Sequence, residues 1–222
     1  MTTTFPLPLD HTLLHLVKYN VFRGLVENKM ILDRLTMQYQ ITNKIRTGPF
    51  SYFASFPNSS VILPVVPNPS ARSLTPTASQ MTMVHSSWIN VLPFPAMREN
   101  MIKWESDFDH SELVKDLVGN LINLKLFPSV PPSSSRRPAH AGRQIVLQEG
   151  DDGEPTAITE PGLILWGEPY RAESWEATPE FLQKWAWAVA GSRELIDSTN
   201  YWRSRRGENP LRLVSVDDGA SP

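Results

Sequence analysis

The sequence predicts a mainly α protein: one irregular helical domain with a long N-terminal helix, a C-terminal helical hairpin and long Pro-rich loops. Three observations carry that expectation. Leu13, Leu14, Leu16, Val17, Val21, Phe22, Leu25 and Val26 recur at three- and four-residue spacing, the period of one helix face. A second helical block between Thr178 and Gly207 is bounded by start and stop signals. Of the 20 prolines, 15 lie between these blocks, where each removes a donor and turns its predecessor away from helix.

Each element follows in order. Residues 1–9 are a Thr/Pro leader, and Asp10 is the expected N-cap of a helix running to about Leu35. Residues 36–80 lack a steady period and read as loop with one short helix, extended over VILPVVPNP. Residues 86–104 predict two short helical turns broken at Pro93 and Pro95, with Pro95 suited to the first turn of the second. Asp109 is the expected cap of a helix with Leu113, Leu117, Leu121 and Leu124 on one stripe. GLILWGEPY reads as an extended segment.

Thr178, Pro179 and Glu180 then give a capping hydroxyl, a proline at the first helical position and an acid in the first turn. Phe181, Leu182, Trp185 and Val189 are its expected inner face, and Gly191 its stop. Ser192 is the expected cap of a last helix carrying Leu195, Ile196, Thr199 and Trp202 and ending at Gly207. The chain thus divides into a leader (1–9), one helical domain (10–127 with 161–213), a disordered or loop insertion (128–160) and a flexible tail (214–222). The expected architecture packs the N-terminal helix against the two C-terminal helices.

Composition excludes several classes. With 222 residues the chain is long enough to bury a sizeable core. The absence of cysteine excludes disulfides, cysteine zinc sites and thiol nucleophiles. A net charge of −2 gives no general attraction to nucleic acid. No signal peptide and no apolar run of spanning length is visible, so no membrane association is expected. No nucleophile elbow, phosphate-binding glycine loop, HExxH or dinucleotide fingerprint occurs. No catalytic residue, metal site or cofactor is expected.

The densest polar–aromatic run is Thr199, Asn200, Tyr201, Trp202, Arg203, Arg205 and Arg206. Arginines beside tryptophan suit phosphate or an acidic peptide. The favoured reading keeps them internal, as cations at a helix C-terminus or as partners of the nine acids between Glu149 and Glu180. Asn20 and Arg23 lie within the apolar N-terminal helix, and Asn20 reads as a core polar group needing an internal partner. His11 and His15 sit four apart, as a metal pair would. Without a third ligand they read as structural. The alternative of a bound ligand would recruit Asn20, Arg23, His85, Arg98, Asn200 and Arg203 around tryptophan-lined space.

Three blocks carry a family likeness. They are LDHTLLHLVKYNVFRGLVENKMIL, LTPTASQMTMVHSSWINVLPFPAMRENMI and WGEPYRAESWEATPEFLQKWAWAVAGSRELIDSTNYWRSRRGENPL. In this order they resemble a fungal domain-of-unknown-function family that commonly follows a basic leucine-zipper (bZIP) region in fungal transcription factors. The resemblance implies an intracellular protein, nuclear or cytoplasmic. A basic helix followed by leucine heptads is not found in this sequence, so direct major-groove binding of that kind is not expected. The expected function is a transcription-regulator-like protein without its own bZIP region. It would act as a protein-binding or effector-binding regulatory module whose partners are other regulators. The alternative is a small-molecule-binding protein or enzyme of a fungal secondary-metabolite pathway. The contact residues expected for ligand or partner are Asn20, Arg23, His85, Arg98, Asn200, Trp202, Arg203 and Arg206.

Overall fold

A computed structural model describes residues 9–40, 59–66, 68–119 and 161–211. The first described element is α1 (Leu9–Leu35), as the apolar spacing requires. Val21, Gly24, Asn28 and Leu32 form its buried stripe at intervals of three and four. A side chain at Gly24 would put its Cβ 2.4 Å from Leu165 and 3.1 Å from Pro169. The missing side chain is therefore what lets α1 lie close on the segment around Leu165.

The mainly α expectation is corrected at this point. Helices are interleaved with two small antiparallel sheets, so the fold is mixed α and β. The first sheet has the order β1–β2–β3, from β1 (Thr36–Gln40), β2 (Ser59–Pro64) and β3 (His85–Ser86). Met37 lies opposite Leu63, Gln38 opposite Ile62 and Tyr39 opposite Val61. The second sheet is a pair, β4 (Leu163–Leu165) with β5 (Trp175–Ala177). The sequence reading of 36–80 placed an extended run over most of β2 but missed β1 and the sheet, because the pairing is non-local. Strands of five and six residues show little period of their own.

Between the sheets run a 3-10 helix (Pro69–Leu74), α2 (Ala78–Thr82), a second 3-10 helix (Ser87–Val91), α3 (Pro95–Lys103) and α4 (His110–Val118). The break at Pro93 and the start at Pro95 fall as the prolines predict. Asp109 caps α4, its carboxylate accepting from the amides of Ser111 at 2.8 Å and Glu112 at 3.2 Å. Leu113 and Leu117 are buried as the stripe predicts. Leu121 and Leu124 lie outside the described residues.

The expected C-terminal helical hairpin is corrected too. Thr178 starts α5 (Pro179–Lys184), accepting from the amide of Phe181 at 3.4 Å. Trp185, at φ −108° and ψ 29°, breaks that helix from α6 (Ala186–Val189). Gly191 closes the segment at φ +78°, a left-handed conformation that glycine adopts without strain. Ser192 precedes α7 (Arg193–Arg205), but its side chain makes no cap hydrogen bond. The packing partners also differ from the expectation. The β4–β5 pair lies between α1 and α7, with α1 packing on β4 and α7 on β5, while α6 packs on α3.

The main core gathers Val21, Phe94, Met97, Met101, Leu113, Leu117, Trp175, Phe181 and Leu195. Trp175 is fully buried, meets Phe94 edge-on at 6.3 Å and donates to the Pro169 carbonyl at 2.9 Å. Burying a tryptophan removes roughly 200 Å² from water, on the order of 5 kcal/mol at ~25 cal/mol/Å². That outweighs any single helix cap at ~1 kcal/mol, so packing and not propensity fixes the C-terminal half. Asn28 donates from the same buried stripe to the carbonyls of Val91 and Pro169, both at 2.9 Å, tying α1 to the end of the second 3-10 helix and to the turn after β4. A smaller core of Leu32, Ile62, Ala71 and Leu74 joins the end of α1 to the first sheet. Much of the leader, the 128–160 insertion and the 214–222 tail lie outside the described residues.

Candidate functional site

The expected contact residues separate into three places. Arg98 and His85 meet in one buried network; Trp202 and Arg206 meet on an open aromatic face; Asn20 and Arg23 belong to neither.

Arg98 has no solvent exposure. α3 carries its guanidinium beneath the 69–92 segment. There Nε donates to Gln80 Oε1 at 2.8 Å, Nη1 to the carbonyls of Ser73 at 2.7 Å and Leu92 at 2.5 Å, and Nη2 to that of Thr75 at 2.8 Å. Burial pulls its pKa down to about 10, against the opposing charges of Glu99 and Glu194. Gln80 Oε1 also accepts from the Thr77 amide at 3.0 Å. Two donors therefore fix the orientation of that amide, and Nε2 donates to Asn90 Oδ1 at 2.6 Å. His85 Nε2 lies 2.7 Å from the same Asn90 oxygen, and its Nδ1 lies 2.8 Å from the Met83 carbonyl. His85 is itself buried. The network holds α2, α3 and the 69–92 segment together, with Gln80, His85, Asn90 and Arg98 all buried.

The second place is open. Trp166, just after β4, stacks on Trp202 of α7 with ring centroids 5.3 Å apart and planes 24° from parallel. Trp202 meets Tyr201 edge-on at 5.1 Å. Trp166 and Tyr201 are 47% and 52% exposed. Each indole is anchored from behind, Trp166 Nε1 to Glu176 Oε2 at 2.8 Å and Trp202 Nε1 to the Glu173 carbonyl at 3.0 Å. Arg206 grips Glu176 bidentately at 2.9 and 2.5 Å and lies 5.8 Å from the Trp166 ring centroid. Its pKa is raised above the ordinary arginine value, by hydrogen bonds to Glu176 first and Glu208 second. Arg205 lies over Tyr201 at 6.0 Å. The face is aromatic, hydrogen-bonded to the body of the fold and flanked by Arg205 and Arg206.

Arg203 and Asn200 do structural duty beside it. Arg203 Nε donates to the Asn209 carbonyl at 2.9 Å, and Nη1 pairs with Glu208 at 3.2 Å. Asn200 exchanges two hydrogen bonds with Leu211, 3.2 Å from Nδ2 and 2.7 Å to Oδ1. Together they fold the 207–211 segment back along α7. On α1, Arg23 is exposed and pairs with Glu27 one turn on. Asn20 is half-buried. The side chains of His11 and His15 lie outside the described residues. Among the described residues no group of three or more metal-ligating side chains stands together, and no helix is long and apolar enough to cross a membrane.

A family model described as Domain of unknown function (DUF3425) matches residues 69–196, more than half of the chain. The chain belongs to this family. No curated protein and no solved structure matches it. The DUF3425 segment takes in the whole Arg98 network and one half of the aromatic face, Trp166 and Glu176. Trp202 and Arg206, which complete that face, lie beyond the match, as does α1.

Sequence reasoning missed Asn28, Gln80, Asn90, Glu176 and Trp166 as members of these networks. Asn28 was legible, since it shares the i, i+4 stripe of Gly24 and Leu32. Gln80 and Asn90 carried no signal, because their partners are fixed only by the folded path of the chain.

Proposed function

We propose that this DUF3425 protein is a non-catalytic, protein-binding regulatory module of the transcription-regulator type. The observation that carries the reading is the half-exposed Trp166–Trp202–Tyr201 face, whose indoles are already tied down by Glu176 and the Glu173 carbonyl. Tryptophan, tyrosine and arginine dominate binding hot spots because they give large contact area for little lost side-chain freedom. Here most of that ordering cost is met before any partner arrives. The regulatory part of the reading draws on the resemblance of the three sequence blocks to a domain found beside bZIP regions.

The small-molecule reading gains less support. A recess lined by Leu32, Leu35, Pro64, Val66 and Leu74 holds about 50 Å³, against the ~300–1,000 Å³ of typical ligand pockets. His85 and Arg98, expected as ligand contacts, spend their donors on carbonyls and amides of the chain itself.

The test is affinity capture from the native cell with the full chain and with a Trp166→Ser, Tyr201→Ser variant, read by quantitative mass spectrometry. The reading expects a small set of proteins that the variant loses at least tenfold while its circular dichroism is unchanged. A capture profile identical for both chains counts against it.

A further inference from the structure

We propose that β1 is a docking edge through which two copies of this chain join their first sheets, antiparallel about a two-fold axis at Gln38. Three observations point there.

The first is topology. Among the described residues β1 pairs with β2 alone, so in the order β1–β2–β3 it forms one edge. Native proteins blunt such edges with proline, lysine, bulges or a covering group. The opposite edge follows this rule: β3 is two residues long, and the amide of Ser86 already donates to Glu105 at 2.9 Å. The second sheet follows it as well, since Thr199 of α7 accepts from the amide of Ala177 at 2.9 Å. β1 reads Thr-Met-Gln-Tyr-Gln, with no proline, glycine or charge. Among the described residues no side chain from another element accepts from its backbone amides.

The second is the outward face of the hairpin. Ser60 and Ile62 of β2 point inward and are buried. The other face carries Met37 and Tyr39 with their cross-strand partners Leu63 and Val61. Met37, Tyr39 and Leu63 are 49%, 53% and 38% exposed, and Val65 beyond the strand end is 57% exposed. An antiparallel sheet with one wet face normally turns polar residues to that side. This one is apolar there.

The third is self-complementarity, which selects a second copy over an unrelated strand. With the two-fold at Gln38, Met37 of each copy falls opposite Tyr39 of the other, a thioether–aromatic pair. The two Gln38 residues face each other, and Thr36 meets Gln40. No like charges are opposed, because the strand has none. Edge pairing sets Met37 and Tyr39 of the two copies side by side but leaves Leu63 and Val65, one strand away, on the open face, so it buries well under what one partner gives a standard interface. The pair is therefore weak, dissociating in the micromolar range.

The experiment is sedimentation equilibrium of the full 25.1 kDa chain between roughly 5 and 500 µM, a range that brackets weak interfaces. The mass is expected to rise toward twice the monomer, and Met37→Lys with Tyr39→Lys to weaken that association at least thirtyfold. A monomer throughout overturns the proposal, even if the chain captures some other protein. So does a dimer whose affinity moves less than threefold in the double variant. If that variant fails to fold, amide exchange on the unaltered chain decides. Protection at Met37 to Gln40 that grows with concentration supports the edge, and protection independent of concentration overturns it.

Discussion

Trp166 and Trp202 stack 5.3 Å apart, although one leaves a β-strand and the other sits near the end of α7. Neither indole is free to swing. Trp166 is held by Glu176, and Glu176 is in turn neutralised by Arg206. The face is an outward extension of the fold's own hydrogen bonding. Trp202→Ala removes the stack and the bond to the Glu173 carbonyl, and should cost roughly 1–2 kcal/mol. Tyr201→Ser, at a more exposed position, should cost less than about 0.5 kcal/mol. Urea denaturation of the two variants checks the contrast.

Arg98 should tolerate no replacement. Its guanidinium satisfies three backbone carbonyls and Gln80 in a fully buried site. Arg98→Lys keeps the charge but loses the fork that reaches four acceptors. Arg98→Met keeps the stem but takes the donor away from the Ser73, Leu92 and Thr75 carbonyls. Both should lose on the order of 3–5 kcal/mol, the range for breaking a buried charged network. If lysine restored wild-type stability, charge rather than geometry would be what the site needs.

Glu99 links the same region to pH. Burial works against its charge, but hydrogen bonds from Ser79 and Thr77 outweigh it and hold its pKa below the ordinary 4.5. The unfolded chain therefore takes up a proton here before the folded one does. The stabilisation is complete above pH 4.5 and disappears as pH falls through the lower folded value. Glu99→Gln should flatten the acid limb of a stability–pH curve and leave the neutral limb nearly unchanged in slope.

Close packing at Gly162 makes a sharper test of the second sheet. A Cβ there would lie 2.2 Å from the Phe181 ring and 2.8 Å from the Asp116 carbonyl oxygen. The backbone oxygen cannot swing aside, so Gly162→Ala should destabilise by roughly 2–3 kcal/mol as an overpacked site does. Trp185→Ala should cost about 3–5 kcal/mol, because Trp185 is buried and donates to Asp116 at 2.9 Å. That same carboxylate, with Glu112, keeps the Lys184 pKa raised despite the burial that lowers it. Thermal melts of both variants give the measurement.

The longer helices were legible, while of the sheets only extended runs such as the one holding β4 were, and not their pairing, for a physical reason. α1, α3, α4 and the start of α5 announce themselves through spacing, proline placement and caps at Asp109 and Thr178, all local in sequence. The strands gain their stability across the chain, as when Leu165 pairs with Trp175 or Met37 with Leu63. A strand of three to six residues has almost no period to read. Ser192 shows the opposite failure: it has the right residue at the right place, yet its hydroxyl makes no cap. In the candidate site, Trp202 and Arg206 were visible as a run of arginine and aromatic residues. Trp166 and Glu176 became their partners only through the β4–β5 pairing.

The central claim is that the Trp166–Trp202–Tyr201 face recognises a protein. A photo-crosslinking residue placed at position 201 of the full chain in its native cell tests it most directly, with the same residue at exposed Lys29 of α1 as control. The account expects a discrete cross-linked protein at 201 that is absent at 29, and that vanishes when Trp166→Ser is added. Identical patterns at both positions, or a product at 201 untouched by Trp166→Ser, would contradict it.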